Sequence, residues 1–326
     1  MKKFQNLTKG VIAMLMLTVA VSCSDDDNDN PNPQPKSIAE TAQATPELSS
    51  LVAALQRADL VSVLDADGDY TVFAPTNTAF AAFLSANGFA SLEAVPVPVL
   101  REVLLNHVVV GSSTSSELTT GYVKTLGKGS ASATNTLSMF INTSGGVTLN
   151  GGVSNGGATV TTPNITASNG VVHIVNGVIG LPTVVNHAIA NPNFTSLVAA
   201  LTRNDMPDFA GILSGTGPFT VFAPTNTAFG DLLTELSLSG LGDVPTGVLE
   251  ETLKYHVVAG ANVLSTSLTN NQMVATFQGQ SFTVQLPNTG PQILDAADRT
   301  SRIVATDVQA ANGVIHVLDK VILPAL

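Results

Sequence analysis

Apolar residues along the chain fall into two rhythms. Early in the first half, Leu48, Leu51, Val52 and Leu55 recur at i, i+3, i+4 and i+7, with Thr45 placed to cap and Pro46 to open a helix. Asn191, Pro192, Phe194, Leu197, Val198 and Leu201 repeat the scheme in the second half. A second amphipathic stripe follows at Leu100, Val103, Leu104, His107 and Val108, answered by Leu249, Thr252, Leu253, His256 and Val257. Between these helices, Thr-Val-Phe-Ala-Pro reads as a short buried strand stopped by proline. Thr76 or Asn77 (Thr225 or Asn226) then caps a helix with Phe80 and Phe83 (Phe229 and Leu232) turned inward. Later the period shortens: residues 124–162 and 273–309 read as strands and turns, and each half closes with an Asn-Gly turn and an apolar strand ending in Leu-Pro. Helices first and strands after predict an α+β architecture.

The recurrence is explicit in the letters. TVFAPTNTAF stands at residues 71–80 and unchanged at 220–229, SLVAAL at 50–55 and 196–201, and HVV at His107 and His256. NGVVHIVNGVIGLP from Asn169 is answered by NGVIHVLDKVILP from Asn312. One unit of about 145 residues has been duplicated, predicting domains at 37–182 and 183–326. These motifs, in order and twice, resemble the fasciclin (FAS1) domain. The resemblance implies a β-sandwich-like wedge packed with helices, and a role in adhesion or binding. Thr78 and Thr227 stand where an acidic residue is frequent in that family, and Asn176 replaces the carboxylate that Asp319 supplies in the second copy.

The amino terminus adds a targeting signal. Lys2, Lys3 and Lys9 precede an apolar run at residues 11–21, too short to span a bilayer. Ala20-Val21-Ser22-Cys23 resembles the lipobox of bacterial lipoproteins, which implies cleavage of residues 1–22 and lipidation of Cys23, the single cysteine of the chain. Residues 23–36, acidic and rich in Pro and Asn, read as an extended tether. The run after Cys23 is similar to the export tag of surface lipoproteins in some Gram-negative bacteria. Attachment to the outer membrane through the lipid, facing outward, is therefore expected. A net charge of −11 without a later Lys/Arg cluster argues against nucleic acid as a partner.

Candidate chemistry is sparse. His107 with His256, and His173 with His316, are paired by the repeat and read as buried scaffold; unpaired His187 reads as solvated. Tyr255-His256 resembles the Tyr-His motif associated with integrin binding in animal fasciclin proteins, and Asn106-His107 is its altered form. The same residues can equally be packing. Asp65, Asp67 and Asp69 could converge on calcium, but the equivalent stretch at 214–218 carries no acid. No catalytic, thiolate-metal or cofactor motif emerges: Gly121 and Gly127-Lys128 miss the phosphate-loop spacing, and a Gly-x-Ser-x-Gly elbow is missing. Thus the sequence predicts a non-enzymatic binding protein for an extracellular protein, matrix or glycan, with binding sought in the divergent stretches 111–135 and 260–300. The rival readings are a carrier or enzyme with a small-molecule pocket in one copy, and a structural protein of the periplasm.

Overall fold

The computed structural model describes residues 35–325. The expected signal peptide, Cys23 and all but the last two residues of the tether lie outside the described residues. Domain 1 opens with three helices, α1 (Ile38–Gln43), α2 (Ser49–Arg57) and α3 (Val61–Asp65), followed by β1 (Tyr70–Pro75), α4 (Asn77–Ala86) and α5 (Val97–Leu105). The strands β2 (Val108–Val110), β3 (Gly121–Lys128), β4 (Thr136–Asn142), β5 (Thr148–Leu149), β6 (Ala158–Ala167) and β7 (Gly170–Val175) complete it. Domain 2 repeats the order with α6 (Val184–Ala190), α7 (Thr195–Leu201), α8 (Phe209–Leu213), β8 (Phe219–Pro224), α9 (Asn226–Glu235) and α10 (Thr246–Tyr255). Its later strands are β9 (Val257–Ala259), β10 (Met273–Ala275), β11 (Ser281–Gln285), β12 (Gln292–Leu294), β13 (Thr300–Ala310) and β14 (Gly313–Leu318). Among the described residues, no helix is long and apolar enough to cross a membrane.

The identical motif forms β1 and β8, each hydrogen-bonded to a strand on both sides. β1 pairs in parallel with β7 and antiparallel with β2, and β8 does the same with β14 and β9. Both faces of these strands are covered, which explains their unbroken apolar run. Val72 and Ala74 join the core beneath the helices, with Leu51, Leu55, Phe80, Leu100 and Leu104. Phe73 points the other way, into a second core with Met139, Ile141, Leu149 and Ile179. In domain 2, Val221 and Ala223 lie under the helices, and Phe222 meets Phe282, Val284, Ile293 and Ile322.

The domains differ in closure. In domain 1, Val109 of β2 pairs with Thr125 of β3, and the sheet closes into a barrel. In domain 2 the seven strands run in the order β10-β11-β12-β13-β14-β8-β9, with a main-chain bond from Phe277 N–H to Val257 O (2.7 Å) across the gap. The two stretches expected to be binding loops are therefore partly sheet: β3 lies in 111–135, and β10 to β12 lie in 260–300. β11 shows why they escape notice, since only Phe282 and Val284 of its five residues are buried.

Candidate functional site

His107 and His256 follow directly on the helical stripes and are buried. The Nδ1 of His107 lies 2.7 Å from Val103 O, and its Nε2 accepts from Ile179 N–H at 2.8 Å. His256 repeats this with Thr252 O (2.7 Å) and Ile322 N–H (3.1 Å). A ring that must accept at Nε2 is neutral and donates from Nδ1, so each histidine ties the last helical turn to the closing segment. Burial pushes both rings down to about 4. His173 and His316 stack on Phe73 and Phe222, at centroid distances of 5.6 and 5.3 Å, and reach Ser113 O and Val263 O from Nε2.

The residues beside them are interior as well. Tyr255 and Asn106 are both 0% exposed. The Tyr255 hydroxyl donates to Ser281 O and accepts from Ala296 N–H, while Asn106 Nδ2 donates to Gly180 O and its Oδ1 accepts from Thr125 Oγ. None of Tyr255, His256, Asn106 and His107 presents a side chain to a partner: the sequence's candidate binding motif is packing, because the helix end that carries it points into the sheet. Asp65, Asp67 and Asp69 are likewise not brought together. Asp65 accepts from Ser37 Oγ at 2.6 Å, and no group of three metal-ligating residues forms among the described residues.

Three polar residues of the identical motif have matching tasks in both copies. Thr71 and Thr220 donate to Gly111 O and Ala261 O, and Thr76 and Thr225 cap α4 and α9. Asn77 and Asn226 accept from Ser50 and Ser196 N–H and donate to Pro46 and Pro192 O. Asn176 holds Thr159 N–H (2.8 Å) as Asp319 holds Arg302 N–H (2.7 Å), so the amide keeps the main-chain bond without the ion pair that Asp319 makes to Arg302.

His187 corrects the reading of a solvated ring: it is 0% exposed, in a seam between the two domains. It meets the edge of Tyr122 at 5.5 Å, and neither ring nitrogen has a hydrogen-bond partner. Burial holds the ring down at about 4, helped by the charge on Lys124 and opposed by the nearby Gln309 main chain. Around it, Lys124 Nζ donates to Asp307 O (2.8 Å), Gln309 N–H to Ser138 Oγ (3.0 Å) and Ala131 N–H to Ala311 O (2.9 Å). Asn155 Nδ2 donates to Asn186 O, and Asn186 Nδ2 returns a bond to Asn155 O. Gly129 is pressed so close that a Cβ there would lie 2.3 Å from Ala311 Cα. The seam therefore takes up part of the stretch expected to bind partners. In the sequence, His187 falls opposite Thr41 of the equivalent helix in the first copy.

A groove also separates the copies. In domain 1 a space of about 510 Å³ lies between α4, α5 and residues 153–157 and 176–181. The equivalent space in domain 2, between α9, α10 and Val321 to Leu323, is about 100 Å³.

The fasciclin domain profile matches residues 46–182 and 192–324, in two consecutive copies. The chain belongs to the fasciclin family. An uncharacterized protein of Synechocystis is 34% identical over 143 residues, 44% of this chain and 98% of its own length. A fasciclin-like arabinogalactan protein of Arthroderma benhamiae is 26% identical over 308 residues, 89% of this chain and 67% of its own. The solved FAS1 domain pair from the insect cell adhesion molecule fasciclin I superposes with a TM-score of 0.51 at 18% identity, covering 86% of this chain and 97% of that one. Fold class and tandem organisation thus agree with the expectation from sequence.

Proposed function

We propose that this fasciclin protein is a lipoprotein held in the outer membrane through Cys23, facing outward, whose domain pair binds a protein, matrix or glycan partner and performs no catalysis. The observation that carries the reading is the pair itself: two fasciclin domains joined by a polar and aromatic seam, with the fold of a domain pair found in a cell adhesion molecule. Two binding faces on one body favour weak but multivalent attachment, because the second contact forms at high effective concentration once the first is made. The lipobox-like Ala20 to Cys23 and the acidic tether supply the anchoring half of the proposal. The test is a matrix-protein and glycan binding screen on the full chain, with protease treatment of intact cells. Partner binding and cleavage from outside are expected; a chain that binds nothing in the screen and survives external protease overturns the reading.

A further inference from the structure

The groove of domain 1 is a feature that the scaffold alone does not require, since the second copy folds without it. Larger side chains stand at the corresponding positions of domain 2, where the space is about 100 Å³. Ala86 becomes Glu235, whose carboxylate meets Arg299 from the β12–β13 turn at 2.8 Å. Asn87 becomes Leu236, Gly177 becomes Lys320, and the glycine turn at Gly156 and Gly157 gives way to the turn bearing Arg299. In domain 1 the small residues leave an open trough. Its two banks carry Val99 and Val153, 42% and 54% exposed, and half-buried Phe83 and Phe89 line it. Its volume of about 510 Å³ falls within the range of small-molecule sites.

The lining states the chemistry of an occupant. None of the lining residues is ionisable, so an ion would lose its hydration without compensation. Two polar side chains reach the groove, and both are amides. Asn87 Nδ2 is committed to Phe83 O, leaving its Oδ1 to accept; Asn176 Oδ1 is committed to Thr159 N–H, leaving its Nδ2 to donate. Both amides are exposed at the groove, one offering an acceptor and the other a donor, and a hydroxyl can use either. We propose that the domain 1 groove binds a free uncharged amphiphile, a hydrocarbon chain or ring with a hydroxyl at one end. This goes beyond the adhesion reading and stands or falls separately from it.

The test uses the full chain with the neutral dye Nile red, displaced by 1-dodecanol, dodecanoate or dodecylammonium. Ala82 and Ala86 line the groove from the exposed side of α4, so the double substitution Ala82→Trp/Ala86→Trp fills it without touching either core. Ala81→Trp, exposed on the same helix but outside the groove, is the control, and thermal unfolding of each variant verifies folding. The expected result is displacement by dodecanol at least ten-fold stronger than by either ion, and at least ten-fold weaker dodecanol binding in the filled variant, with the control unchanged. Equal displacement by the ions, undiminished binding in the folded double variant, or binding only to neutral phosphatidylcholine vesicles overturns the proposal. Should the double variant fail to fold, Asn176→Asp serves: a carboxylate there keeps the main-chain bond, as Asp319 does, and is expected to weaken dodecanol binding several-fold; unchanged binding overturns it.

Discussion

In domain 1 the groove is bordered by Ala86 and Asn87 at the end of α4 and by Gly177; in domain 2 the same positions are Glu235, Leu236 and Lys320. Beneath those positions the two copies match down to individual hydrogen bonds, from the Thr caps to the histidine that accepts from Ile179 or Ile322. The contrast separates two kinds of sequence information. Residues that recur hold the scaffold, and residues that diverge set the groove and the seam. The paired histidines, which look chemical in a sequence, fall on the scaffold side.

The most severe test of this equivalence is to empty the same site in both copies. Phe73→Ala and Phe222→Ala each remove a fully buried ring that stacks on a histidine, at an expected loss of about 3–5 kcal/mol. Urea unfolding should place the two losses within about 1 kcal/mol of each other, given similarly rigid surroundings. A harmless change in one copy and a large loss in the other would break the comparison.

Acid gives the next largest effect. His107, His256 and His187 are neutral in the fold with rings at about 4, whereas the unfolded chain takes up those protons near the ordinary 6.5. Their contribution is therefore fully present above pH 6.5 and is withdrawn as pH falls toward 4. The loss is on the order of 3 kcal/mol per histidine. Urea midpoints between pH 7 and pH 4.5 should fall steeply, and His107→Gln and His256→Gln should flatten the slope by similar amounts. A flat profile for the native chain contradicts neutral, buried rings.

Asn169 and Asn312 offer a subtler pair. Each accepts the first N–H of its domain's opening helix and donates to two carbonyls at the end of the third helix. Alanine at either is expected to cost about 2 kcal/mol, read as matching drops in melting temperature. The smallest effect is at the divergent wall. Glu235 is more than half exposed, so Glu235→Ala should cost less than about 1 kcal/mol. A larger loss there would make the Arg299 bridge part of the scaffold and erase the distinction.

Much of the scaffold was legible in the sequence because its logic is local. A proline after an apolar run stops a strand, a threonine next to it caps a helix, and an Asn-Gly turn precedes the last strand, and each of these signals occurs in both copies. The seam was not legible in the same way. His187, Tyr122, Ser138 and Gln309 meet only because α6 folds back against the strands of the other domain, and nothing in their spacing announces it. The groove escaped for a related reason: it is made by what Ala86 and Gly177 lack, and a missing side chain leaves no pattern until the opposite wall is in place. Tyr255-His256 failed differently. The motif is present, but the helix end that bears it is buried, so a resemblance in letters did not carry an exposed surface with it.

Divergent residues fasten the two copies into one unit, and calorimetry of the full chain with and without Gly129→Leu puts that to the test. A side chain at Gly129 must displace the Ala311 backbone, since its Cβ would lie 2.3 Å from Ala311 Cα, at an overpacking cost of about 1–3 kcal/mol confined to the seam. The native chain is predicted to unfold in one cooperative transition, and the variant in two, each domain melting on its own. Two separate transitions in the native chain, or a single unaltered one in the variant, would contradict it.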